Sequence, residues 1–140
     1  MAKPLVSVIV PTFNFGRFVG ETIAAVQAQT WTNWECVIVD DGSTDDTPDL
    51  CRAAAASDAR IKCVRQDNRG HAAAKNAGVA RSVGQYVQFL DADDLLERDK
   101  LRGHVAVLEA EPDLDIVYGP VRYFADDRPN KRFLSLHLTN

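Results

Sequence analysis

The chain is short of cysteine, of long apolar runs and of positive charge, and each shortage closes off a class of protein. Its 140 residues hold three cysteines, Cys36, Cys51 and Cys63, with no C-x-x-C spacing. That excludes a disulfide framework and a zinc ribbon, and predicts reduced thiols in a cytoplasmic setting, with Cys36 and Cys63 buried in strands. The three histidines, His71, His104 and His137, are scattered without ligand spacing. The longest apolar runs near the N-terminus, Leu5-Val6 and Val8-Ile9-Val10, are broken by Ser7. They are too short for a membrane span and lack the cleavage region of a signal peptide. A cytoplasmic location is therefore expected, with attachment at a membrane periphery left open. A net charge of -4 and a pI near 5.3 argue against a nucleic-acid partner, which would require a basic face. No internal repeat or low-complexity tract is present. The composition, 46% hydrophobic and 26% charged, is that of a single globular domain.

Apolar β-branched runs alternate with helix-period segments, as in a mostly parallel α/β sheet flanked by helices. Strands are predicted at 7–10 (stopped by Pro11), 35–39, 60–64, 86–90 and 116–118. Helices are predicted from about 17 to 29, from the 43–46 capping residues to 56, from 72 to 81 and from 98 to 109. Beyond Tyr123 the pattern fails, and residues 125–131 read as a polar turn.

Four segments carry the chemistry, and each follows a strand. They are Pro11-Thr12-Phe13-Asn14, Asp40-Asp41-Gly42-Ser43, Asn68-Arg69-Gly70 and Phe89-Leu90-Asp91-Ala92-Asp93-Asp94. The carboxyl ends of parallel strands share one rim, so these residues can line one crevice. Adjacent carboxylates repel unless a cation or donors compensate. Two such acidic strand ends suggest a site for a nucleoside diphosphate and a hard divalent ion, Mg²⁺ or Mn²⁺ rather than zinc. Thr12 and Asn14 offer short polar groups to a base or ribose, or else serve turn chemistry alone. The Asp41 carboxylate can accept an imide N–H such as that of uracil; the bland alternative is a solvated turn in which Ser43 and Asp45 cap the next helix. Lys75 either neutralises phosphate charge or is an exposed helix lysine. Asn76, locally unfavourable inside a helix, suggests a hydrogen-bonding task. Asp91 and Asp93 alternate and in extended geometry face one side, one for a metal and the other for a ribose hydroxyl.

Taken together, Val6 to Asn14, Val39 to Asp45, Asn68-x-Gly70, Lys75-Asn76-x-Gly78 and Phe89 to Asp94 resemble family 2 glycosyltransferases of the GT-A (Rossmann-like) fold, a three-layer α/β/α sandwich. Gln29-Thr30-Trp31 and Trp34-Glu35 are also similar to that family's link between first helix and second strand. The order and spacing agree over roughly 6–118. The resemblance implies a nucleotide-sugar donor, usually UDP-linked, a saccharide, lipid or protein acceptor, and inversion at the anomeric carbon. It implies Asp41 at the uracil, Thr12 beside the nucleotide, Asp91 at the ribose, and Asp93, with Asp91, at a Mg²⁺ or Mn²⁺ ion on the diphosphate. Pro11, Asn14, Asp40, Asn68, Gly70, Lys75 and Asn76 complete the expected donor site. Lys75 stands where many relatives have arginine, which keeps the charge but weakens bidentate phosphate recognition.

Inversion needs a carboxylate to take the acceptor's proton, and the resemblance puts that base in a later, acceptor-binding part. No residue here matches it; Asp126 and Asp127 lie in the polar turn. The chain is thus expected to be one nucleotide-sugar-binding domain over 1–140, truncated before the acceptor-binding part. The apolar Phe133, Leu134, Leu136 and Leu138 fit packing against further sequence or against a second copy. A non-catalytic nucleotide-sugar-binding module is the second reading. A phosphate-receiving signalling domain is the third, disfavoured because a strand and helix precede Asp40-Asp41.

Overall fold

A computed structural model describes residues 5–125 and 128–134, with side chains as far as Tyr123. The chain forms two compact units, Met1–Val105 and Ala106–Asn140. The first holds a parallel sheet of β1 (Val6–Thr12), β2 (Trp34–Asp40), β3 (Ile61–Arg65) and β4 (Tyr86–Phe89), in the order β3-β2-β1-β4. Its crossovers are α1 (Gly16–Gln27), α2 (Thr47–Ser57) and α3 (His71–Val79), and β4 is followed by α4 (Lys100–Ala110).

Two apolar layers show why this is a sandwich. Val6, Val8, Val10, Cys36 and Ile38 face Val19, Ile23 and Val26 of α1, Cys51 of α2, and Leu101 and Val105 of α4. The opposite sheet face, Ile9, Val37 and Val39, packs on Ala74 and Ala77 of α3. With both faces covered, β1 and β2 are buried along their whole length, as parallel strands require. Cys36 and Cys51 are buried free thiols, and burial pushes Cys36 up to about 12. Cys63 is only half-buried, because β3 is an edge strand.

Gly78 sets the distance between α3 and the sheet. A Cβ built there would overlap Ile9 Cγ2 and lie 3.3 Å from Val39 Cγ2. In an exposed helix, glycine to alanine gains about 1 kcal/mol. Overpacking a filled contact costs about 1–3 kcal/mol, so here the sign reverses. Gly78→Ala is expected to lower stability by about 1 kcal/mol, read as a fall in the thermal midpoint. A raised midpoint would show that α3 lifts freely from the sheet.

At the amino end of the strands a buried polar cluster fixes β4 in register. Glu35 Oε1 accepts from the Ser7 hydroxyl and the Val83 N–H, both at 2.7 Å, and Lys62 Nζ donates to Oε2 at 2.7 Å. Burial works to raise the Glu35 pKa, but the bonds from Lys62, Ser7 and Val83 outweigh it and leave the carboxyl below its ordinary value.

Four expectations need correction. Pro11 does not stop β1, which runs to Thr12. Its missing N–H faces the β4 side, where pairing has already ended at Ile9↔Phe89, so no ladder bond is lost. β4 likewise ends at Phe89 rather than Leu90. Residues 116–118 form no strand among the described residues; three apolar residues between Asp115 and Gly119-Pro120 have no ladder to join. The second unit instead carries the antiparallel pair β5 (Arg122–Ala125) and β6 (Arg128–Leu134), where a polar turn was expected. Pro129 is tolerated there because it falls in the register shift between Ala125↔Arg128 and Phe124↔Arg132. Asp126, Asp127, Leu136 and Leu138 lie outside the described residues, and so do the side chains of Phe133 and Leu134.

Candidate functional site

Strand order reverses beside β1: β2 and β3 lie on one side of it and β4 on the other. Beyond Ile9 and Phe89 the two strands no longer pair, and a crevice opens at their carboxyl ends. Its volume is about 510 Å³. Of the predicted residues, Pro11, Thr12, Asp41, Asn68, Gly70, Asp91 and Asp93 line it. Asn14, Asp40, Lys75 and Asn76 do not.

Asp41 organises one wall. Only 3% exposed, it accepts from Gln66 Nε2 at 2.8 Å and Arg69 N at 2.9 Å through Oδ1, and from Gly70 N at 2.8 Å through Oδ2. Burial opposes ionisation, but these three donors and nearby His71 prevail and hold the pKa below the usual carboxylate range. The carboxylate thereby pins the loop that leads into α3 to the end of β2. Gly42, at φ 82°, permits the close approach: a Cβ there would sit 2.9 Å from Asn68 N.

Asn14 and Asp40 work behind the crevice. Asn14, held at φ 57°, donates its N–H to Ser43 Oγ at 2.9 Å and accepts from Thr44 N at 2.8 Å. Ser43 therefore bonds Asn14 and does not cap α2, whereas Asp45 does accept the Thr47 N–H at 3.0 Å. Fully buried Asp40 accepts from Ser43 N at 3.1 Å and lies 3.1 Å from Arg65 NH1. Asn14 thus ties the loop after β1 to the loop after β2, and Asp40 ties that second loop to the end of β3.

The opposite wall is a turn, not the extended segment expected. Asp94 N–H bonds Asp91 C=O at 3.0 Å, and Ala92 turns into the core, yet Asp91 and Asp93 both reach the crevice. Asp91 Oδ1 lies 3.3 Å from His71 Nε2 and 3.7 Å from Lys75 Nζ. One turn apart on α3, these two groups share a face. Burial, with the charges of Asp93 and Asp91, raises the Asp94 pKa. His71 and Phe13, both in the crevice, had been assigned no role from sequence. The four-residue spacing from Lys75 is the signal that could have found His71.

Hard oxygen ligands at Asp91 and Asp93 fit a magnesium-like ion that completes its shell with phosphate and water. No group of three or more metal-ligating side chains occurs among the described residues, so such an ion would depend on the ligand to stay bound.

Comparison with known proteins agrees with this architecture. The solved mannosyltransferase PcManGT of Pyrobaculum calidifontis, in complex with GDP-Man and Mn²⁺, superposes with a TM-score of 0.71 at 33% identity, over 77% of this chain and 33% of that one. TarS 1-349 of S. aureus in complex with UDP gives 0.71 at 28% identity, over 76% and 32%. The fold is thus the GT-A α/β/α arrangement. The profile of glycosyl transferase family 2 matches residues 7–138, and the chain belongs to that family. Glycosyltransferase GlyG of Streptococcus pneumoniae is 35% identical over 130 residues, 92% of this chain and 42% of its own length. The putative teichuronic acid biosynthesis glycosyltransferase TuaG of Bacillus subtilis is 44% identical over 100 residues, 71% of this chain and 40% of its own. The chain therefore spans less than half the length of these curated relatives.

Proposed function

We propose that this chain forms the donor-binding part of an inverting, metal-dependent glycosyltransferase whose donor is a UDP-sugar. The observation that carries the proposal is the pairing, across one crevice, of a buried carboxylate held by three N–H donors with a turn that brings two further carboxylates to the crevice. Asp41 Oδ2 takes one N–H from Gly70 and keeps acceptor capacity for an imide N–H of the base. Thr12, whose buried hydroxyl has no partner among the described residues, stands beside the nucleotide. Asp91 serves the ribose, and Asp93, with Asp91, holds Mg²⁺ or Mn²⁺ at the diphosphate. The ion when bound supplies Lewis-acid stabilisation of the leaving diphosphate. Lys75, facing Asp91 beside His71, adds positive charge on that side. Among the described residues no helix is long and apolar enough to cross a membrane, and three free thiols support a cytoplasmic site of action. The acceptor-side base is assigned to no residue of this chain.

Calorimetric titration of UDP with and without Mn²⁺ tests the reading. Binding that strengthens by about tenfold or more with the ion is the expected result. Binding of GDP in preference to UDP would reassign the base, and binding of neither would overturn the donor assignment.

A further inference from the structure

The acidic turn after β4 is held from behind by a residue far away in sequence. Thr22, fully buried on α1 among Val19, Ile23 and Val26, places its hydroxyl 2.9 Å from the carbonyl of Ala92 and 2.9 Å from that of Asp94. A threonine within a helix often returns its hydroxyl to the preceding turn of its own backbone; this one bonds across to the strand end. A hydroxyl carries one proton, so it serves the two carbonyls alternately. Those carbonyls flank Asp93 on both sides. With Ala92 packed in the core and the turn closed by Asp94 N–H to Asp91 C=O, the hydroxyl fixes the turn's inner edge while the carboxylates of Asp91 and Asp93 take the outer one.

We propose that Thr22 is a positioning residue for the cation and diphosphate subsite, acting on Asp93 through the carbonyls of Ala92 and Asp94. The inference rests on the donor assignment above. Thr22 touches neither nucleotide nor ion, so its effect falls on the ion's contribution to binding and not on the base pocket of Thr12 and Asp41. Groups that orient the ligands of a metal typically change its affinity by about 10- to 100-fold when removed.

The test compares wild type, Thr22→Val and Thr22→Ser in the same UDP titration with and without Mn²⁺, alongside thermal unfolding. Valine keeps the volume and loses the hydroxyl; serine keeps the hydroxyl. Thr22→Val is expected to lose about tenfold or more of the strengthening by Mn²⁺ while metal-free UDP binding stays within about twofold, and Thr22→Ser is expected to restore the wild-type ratio. A Thr22→Val protein with the full wild-type ratio overturns the proposal and leaves the donor assignment standing. Wild type that ignores Mn²⁺ overturns both. Should Thr22→Val fail to fold, Thr22→Cys decides, since its thiol is only a weak donor: folded with the strengthening by Mn²⁺ reduced it supports the proposal, and folded with the full wild-type ratio it refutes it.

Discussion

Asp41→Asn is expected to cost about 2–3 kcal/mol of folding stability and to abolish nucleotide binding in the crevice. The carboxylate accepts three N–H donors, two at Oδ1 and one at Oδ2. An asparagine can present its oxygen to one side only. Its NH₂ then confronts either Gly70 N–H or the pair from Gln66 and Arg69, so at least one charge-assisted bond becomes a donor–donor contact at a site only 3% exposed. Hydrogen bonds to charged groups contribute about 1.5–3 kcal/mol each, and a buried unsatisfied donor costs about 1–3. Because those donors lie in the loop that opens α3, the variant also releases His71 from its place opposite Asp91. Denaturant unfolding at neutral pH measures the loss. The same contrast has a defined pH dependence. The Asp41 pKa is depressed in the folded state, so its stabilisation is complete above the unfolded carboxyl value near about 3.9 and is lost as pH falls through the lower folded value. The gap between wild type and Asp41→Asn should therefore be constant at and above about pH 5 and shrink below about pH 4. A gap independent of pH down to the acid limit would show that the carboxylate's charge is not what holds the loop.

What was legible in the sequence divides along physical lines. Strand ends announced themselves because apolar β-branched runs stop abruptly at acidic or turn residues. In parallel sheets those ends share a rim, so the sequence alone gathers Thr12, Asp41, Asn68, Asp91 and Asp93 into one crevice. The division of labour within each segment was not legible. Asp40 and Asp41 are neighbours, but Asp40, the last residue of β2, meets Arg65 and Ser43, while Asp41, just past the strand's end, reaches the crevice; two adjacent carboxylates carry no sequence signal that tells these roles apart. Ser43 has the chemistry of a helix cap, and only the fold shows that Asn14 claims its hydroxyl. Thr22 looks like any polar residue of α1, because its partners lie some seventy residues away. The β5–β6 pair was missed for a different reason: arginines, proline and asparagine give a polar segment whose strand character comes from its partner.

Asp93→Asn is expected to remove nearly all strengthening of UDP binding by Mn²⁺, about tenfold or more in affinity, while leaving thermal stability and metal-free binding close to wild type. The two crevice carboxylates differ in how they are engaged. Asp91 faces His71 at 3.3 Å and Lys75 at 3.7 Å, so an ion there competes with existing partners. Asp93 is exposed and has no ion pair among the described residues, so coordination at Asp93 breaks nothing. Asparagine keeps the size and one oxygen but withdraws the charge that draws a divalent cation from water. Asp91→Asn, by contrast, should weaken binding with and without the ion, since it also frees His71 and Lys75 to reorient. Each variant is titrated with UDP in the two conditions, and the ratio of affinities is compared. Loss at Asp93 that is equal with and without Mn²⁺ would assign this carboxylate to the nucleotide itself. An unchanged ratio would take the metal away from Asp93 altogether and leave Asp91, already facing His71 and Lys75, as the remaining acidic ligand of the crevice.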